Sequence, residues 1–325
     1  MTLRRYGVVL VLLLSWLFGT RAAAPALAEE TWFVPPDNLP RGGQLTGMPD
    51  FPRLFGDDAQ WRLAASRINV FGLTPYYVLR APEAELRSVL EFLTSHRIAL
   101  NVALQALPTE NCGEGVEGLV KTVREPIAVA QRLRQLDADV SSFSFDEPLE
   151  YGHIYTHRAA CRYPVQEVAQ RLAQTVQGVR AVYPNARFID YEVPTDLSPA
   201  EWDSTLGEWL AAYRAATGAP LDGLAMDVDF RKPWLGPIRQ STQILQANGV
   251  RAGVFLDAAG GPGVTDESWM ATTRQNMAEV IRAKIPLDFV IIATWMRHPS
   301  RALPENDPLA LTSLINWYAE HRFGR

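Results

Sequence analysis

The chain has 325 residues, 47% hydrophobic and 21% charged, with only two cysteines. That composition is globular and needs no disulfide scaffold to build a core. A formal charge of −5 argues against electrostatic nucleic-acid binding, and no Cys/His cluster has zinc-finger or iron–sulfur spacing.

Residues 1–28 read as a secretory signal. Arg4 and Arg5 precede an apolar run from Val8 to Phe18, and Ala26-Leu27-Ala28 forms a small-x-small cleavage site. The run is shorter than the roughly 20 residues that a membrane span needs. The expectation is an exported, periplasmic or secreted protein with no membrane attachment once the signal is removed. Residues 29–325 then form one domain. Export also puts Cys112 and Cys161 in an oxidising compartment, where they are expected to pair. Closing a loop of about 50 residues would contribute roughly 4 kcal/mol on the chain-entropy model.

Eight β-rich runs follow, each leading through a loop into an amphipathic stretch. They are Thr31–Pro35, Arg67–Phe71, Ala99–Leu104, Val140–Phe145, Arg187–Glu192, Gly223–Asp229, Ala252–Asp257 and Asp288–Trp295. Several are almost continuously apolar, as strands covered on both faces of a parallel sheet are. Between them, Pro82–His96 places Leu86, Val89, Leu90 and Leu93 on one helical stripe. Ser198-Pro199-Ala200-Glu201 is a capping box opening a helix that ends at Thr217-Gly218. Pro126, Pro164 and Asp307-Pro308 are expected to open three more helices, and Asp266 to cap another. Eight such units predict a single (β/α)8 barrel, the TIM-barrel class of α/β fold. No Gly-x-Gly-x-x-Gly follows the first strand to favour an open dinucleotide-binding sheet.

In such a barrel, chemistry sits at the C-terminal ends of the strands. Four successive predicted strands end in acids: the fourth in Asp146-Glu147-Pro148, the fifth in Asp190-Tyr191-Glu192, the sixth in Asp227-Val228-Asp229, the seventh in Asp257. Residues two apart share a strand face, so Asp227 and Asp229 point one way and Asp190 and Glu192 likewise. Acids ending apolar strands are costly without a partner or a task. Paired carboxylates are the equipment of glycosidic cleavage, one donating a proton while the other attacks or activates water.

The segment Asp146-Glu147-Pro148 resembles the Asn-Glu-Pro that ends the fourth strand in the large clan of (β/α)8 retaining glycoside hydrolases. The resemblance implies Glu147 as acid/base, with Asp146 beside it fixing its charge or orientation. Trp295 resembles the tryptophan that floors the sugar site in that clan. Two departures stand out: Asp146 replaces the usual Asn, and Asp257 stands where the clan has a nucleophilic Glu. Asp257 is therefore the first nucleophile candidate, followed by Asp229 and Asp227, with Glu192 positioning the sugar or the attacking water. Other barrel hydrolases pair an Asp on the fourth strand with one on the sixth, which here would join Asp146 to Asp227 or Asp229.

Trp32, Tyr76, Tyr77, Tyr151, Trp234 and Trp295 are expected on the same rim as stacking surfaces, with His153 hydrogen-bonding substrate. Trp202, Trp209, Trp269 and Trp317 fall in helices and are expected to pack. His153 and His157 lie at i, i+4, but no His-x-His on an early strand supports a metal-dependent hydrolase. No metal or cofactor is expected. The partner class is a carbohydrate, the oligomeric state is open, and a non-catalytic glycan-binding or polysaccharide-export accessory protein is the second reading.

Overall fold

The computed structural model describes residues 29–39, 47–56, 60–194 and 196–324; the signal segment lies outside them. Eight parallel strands close into a barrel. They are β1 (Glu30–Val34), β2 (Val70–Leu73), β3 (Ala99–Leu104), β6 (Val140–Asp146), β7 (Arg187–Glu192), β8 (Gly223–Met226), β9 (Arg251–Leu256) and β10 (Phe289–Ala293). The two short strands β4 (Leu107–Pro108) and β5 (Leu119–Val120) pair with each other outside it. The barrel closes where β1 runs alongside β10 from Glu30↔Phe289 to Val34↔Ala293. This is the (β/α)8 architecture that the alternation of elements predicts.

The helices are α1 (Arg62–Ala65), α2 (Pro75–Arg80), α3 (Glu83–His96), α4 (Arg124–Gln135), α5 (Val165–Val182), α6 (Pro199–Thr217), α7 (Leu235–Ala247), α8 (Asp266–Ala283) and α9 (Thr312–Phe323). The capping box of α6 is present, with Ser198 accepting the Glu201 N–H and Glu201 reaching back to Ser198 N–H. Several expected boundaries move, and the strand expected over Gly223–Asp229 ends at Met226, which leaves Asp227 and Asp229 beyond it. The second strand starts at Val70 because α1 and its closing turn occupy the residues before it. Thr265, not Asp266, caps α8, because Asp266 is engaged by Ser300 and His298. The last helix starts at Thr312, beyond Asp307-Pro308, where Asp307 instead holds Arg301 and the Leu309 N–H.

Strand alternation builds two cores. Outward residues pack with the helices, where Trp202, Trp209 and Trp269 are buried as expected. Inward residues form a second cluster of Trp32, Val70, Ile189, Tyr191, Ala225, Phe255, Phe289, Ile291 and Ala293. Burying each large side chain of this kind stabilises by roughly 1.5–3 kcal/mol. Gly253 is needed here, since a Cβ on it would lie 2.2 Å from the Phe289 ring.

Trp32 is a correction. It is the third residue of β1, fully buried, stacked on Phe289 at 4.8 Å, with its indole N–H donated to Glu30. It fills the barrel interior and offers no face to a ligand.

Candidate active site

The inner rows of the barrel turn polar toward the C-terminal rim. Asn101 on β3 donates from Nδ2 to Ser142 Oγ at 2.9 Å, and its Oδ1 accepts from Ser144 and Tyr191 at 3.0 and 3.2 Å. All four are buried, and every polar atom in this small network has a partner of the kind burial demands. Asp146 continues the Ser142–Ser144 row of β6 one step further. Asp227 follows Ala225 on the β8 row, Asp257 follows Phe255 on β9, and Trp295 follows Ala293 on β10. Sequence reading overlooked this floor, although Asn101, Ser142 and Ser144 at alternate positions of apolar strands were its signal.

Four acids therefore meet over the floor: Asp146, Glu147, Asp227 and Asp257. Each is raised first by burial, and then by other carboxylates. Asp146 is pushed up to about 7 by burial, with Glu117 and Asp227 adding to it. Glu147 is pushed up to about 10, Asp227 being the strongest of its like-charge neighbours. Burial and then Asp257 hold Asp227 well above the ordinary carboxylate range. Asp257 reaches about 7 through burial and Asp229. Low-dielectric surroundings and like charges both disfavour the ionised form, so the group retains protons at neutral pH.

Glu147 sits on a strained turn. Its φ of 51° is left-handed, a region that costs a non-glycine residue roughly 1 kcal/mol or more. The chain then enters a short π-helical segment, Glu150–Ile154, with Tyr151 N–H donating to the Glu147 carbonyl at 3.0 Å. Across from it, the loop between β4 and β5 lies directly on the Asp146 backbone. Gly118 has a φ of 71°, and a Cβ there would fall 2.0 Å from the Asp146 carbonyl oxygen. This close approach brings Glu117 to the rim, where it accepts the Tyr151 hydroxyl at 3.1 Å. A disulfide between Cys112 and Cys161 ties the same loop to the segment after β6, with Cα atoms 5.1 Å apart.

Two expected site acids are engaged by other partners. Asp229 accepts from the Arg231 Nε and backbone N–H on one oxygen and from Nη2 on the other, at 2.8–3.0 Å. The arginine holds its carboxyl below the ordinary range. Asp229 is thus an ion-pair partner that also stands close enough to raise Asp227 and Asp257. Glu192 faces the helix layer, fully buried, and its two oxygens accept the Leu149 and Glu150 N–H groups at 2.7 and 3.0 Å. It touches the site only from behind, so it does not position the sugar or water directly. Asp190, on the same outward face, accepts the Trp209 indole N–H at 2.6 Å.

The aromatic residues divide similarly. Trp295 is 44% exposed and stands edge-on to Phe255 at 5.8 Å. Tyr76 is 37% exposed in the first turn of α2. Tyr151 packs edge-on against Tyr155 at 5.4 Å. Trp234 is a second correction: it is buried against Phe230 in the outer core, because it closes the N-terminus of α7. The Nδ1 of His153 meets the Tyr163 carbonyl at 2.7 Å, anchoring its own loop. Among the described residues, no group of three or more His, Cys, Asp or Glu has metal-ligating geometry, and no helix is long and apolar enough to cross a membrane.

No protein-family model and no curated protein matches this chain by sequence. Solved structures match by fold. A thermostable mutant of a xylanase from Cellvibrio japonicus superposes with a TM-score of 0.55 at 12% identity, over 91% of this chain and 99% of that one. A GH10 structure from Paenibacillus barcinonensis gives 0.52 at 12% identity, covering 88% and 90%. A glucosidase from Croceicoccus marinus gives 0.52 at 11% identity over 88% of this chain, which spans only 63% of the glucosidase. The class defined by fold is thus the (β/α)8 barrel shared with these glycoside hydrolases.

Proposed function

We propose that this protein is an exported glycoside hydrolase acting on an oligo- or polysaccharide by paired-carboxylate catalysis. The observation that carries the reading is the rim itself: buried and half-buried acids from the inner rows of β6, β8 and β9, raised first by burial and then by neighbouring carboxylates. Asp229, by contrast, is held by Arg231. Export is supported by the character of residues 1–28 and by the disulfide.

Glu147, protonated at neutral pH, gives its proton to the glycosidic oxygen as the bond to the anomeric carbon breaks. The positive charge developing at that carbon is met by Asp227, the strongest like-charge neighbour of Glu147, which acts as nucleophile or as base toward water in its ionised form, its own proton passing to Asp257. Asp257, beside Asp227, keeps the proton balance of the pair. Asp146 supplies negative charge next to Glu147 and so holds its proton on. Trp295 offers an exposed ring on which a sugar face can stack.

The test is incubation of wild-type protein and Glu147→Gln with a panel of bacterial and plant glycans, scoring new reducing ends. Release by wild type, with the variant reduced by a factor of about 10²–10⁴, supports the reading. Equal glycan binding by both proteins without release by either would contradict it and leave a carbohydrate-binding accessory protein.

A further inference from the structure

Glu192 is fully buried, yet two parts of it reach the two sides of the proposed acid/base pair. Its side-chain oxygens accept the Leu149 and Glu150 N–H groups at 2.7 and 3.0 Å. These are donors at the start of the segment that leaves Glu147, and such first-turn N–H groups have no partner within their own helix. Its main-chain carbonyl accepts the Asp227 N–H at 2.8 Å. In register, Glu192 lies opposite Met226, the last residue of β8.

We infer that Glu192 is the positioning residue of the site, tying the turn that carries Glu147 to the strand end that carries Asp227. This rests on the assignment of that pair as acid and partner. The need for a tie is visible in the backbone. Glu147 is held in a left-handed conformation that an unsupported turn would leave. Leu149 and Glu150, two and three residues on, are the points at which it can be held without blocking the pocket.

The chemistry of the group fits the task. A carboxylate accepts on both oxygens at once, and two amide donors favour the ionised form, whereas an amide side chain offers one acceptor. Burial and the neighbouring Asp190 raise the Glu192 carboxyl, while the two amides oppose them. Asp190 is the natural control. It lies on the same face of β7 and is equally buried, but its bond runs to Trp209 on α6 and away from the Glu147 turn.

The test compares Glu192→Gln with Asp190→Asn by amide hydrogen exchange and, separately, by steady-state kinetics. Glu192→Gln should speed exchange at Leu149, Glu150 and Tyr151 by on the order of tenfold or more, with Asp190→Asn leaving those amides as in wild type. In the kinetic arm, Glu192→Gln should lower kcat by roughly 10–100-fold with KM little changed, as loss of geometry at the reacting atoms does. Unchanged exchange in Glu192→Gln, or the same change in Asp190→Asn, would overturn the inference. If wild type cleaves no glycan, the hydrolase reading falls while the exchange arm still decides the role of Glu192. Should Glu192→Gln fail to fold, wild type alone decides: slow exchange at Leu149 and Glu150 supports the tie, and free-peptide rates there overturn it.

Discussion

The two ends of the barrel treat charge in opposite ways. At the N-terminal end, Arg251 meets Glu30 at 2.9 Å and lies over the Phe289 ring at 5.3 Å, with Trp32 stacked beneath. The cation has its counter-ion and an aromatic cover. At the C-terminal end, Asp146, Glu147, Asp227 and Asp257 face mainly one another. Both ends lie in a barrel whose interior is otherwise packed. A fold that needs only stability neutralises its inward charges, as the lower end does. An end that leaves acids to share protons gives up stability, as the catalytic role proposed for it would require.

The largest effect should come from removing the acid most strongly coupled to Glu147. Asp227→Asn is expected to lower glycan cleavage by about 10²–10³. It should also move the alkaline limb of the pH profile to lower pH, because Glu147 loses its strongest like-charge neighbour and sheds its proton earlier. A fall in rate with an unmoved alkaline limb would separate Asp227 from Glu147. At the other end, Arg251→Met should cost about 2–3 kcal/mol of stability, read by denaturant unfolding, by leaving Glu30 without its partner. It should not change kcat, and a loss of activity there would break the contrast between the ends.

A smaller effect of opposite sign is expected at the rim. In the unfolded chain Asp146 ionises near pH 4, whereas in the fold it is raised to about 7. Between those values the folded state binds more protons, so this group's contribution to stability falls as pH rises through the window. Asp146→Asn should therefore stabilise by about 1–2 kcal/mol at pH 8, with solvent at the rim moderating the gain, and by almost nothing at pH 4. Thermal melts at the two pH values read this directly. Smallest of all, Trp295→Ala should raise KM by roughly three- to tenfold, the scale of one stacking contact, with kcat near wild type.

Much of this was legible in the sequence because strand alternation is a simple code. The eight near-apolar runs define the barrel, and carboxylates at the ends of four of them mark the rim. What alternation cannot say is which of two faces turns inward. Asp190 and Glu192 share a face as read, but Tyr191 between them is the residue that faces the barrel, so both acids point to the helices. Asp229 was equally plausible with Asp227 until Arg231, two residues on, folded back onto it. Trp32 lies within β1 and not at its C-terminal end, so it packs inside the barrel on Phe289 and not at the rim. Glu117 reaches the rim through a loop held by Gly118 and the disulfide, a placement that follows from the Cys112–Cys161 pairing expected from the sequence.

The central claim is that Glu147 carries a proton at neutral pH because it is buried and has other acids beside it. Side-chain carboxyl NMR of protein labelled at glutamate, with the Glu147 signal assigned by its loss in Glu147→Gln, tests this without a substrate. The account predicts a carboxyl that is protonated at pH 7 and titrates toward about 10. A midpoint in the ordinary glutamate range, near 4.5, would contradict it and leave the rim without its general acid.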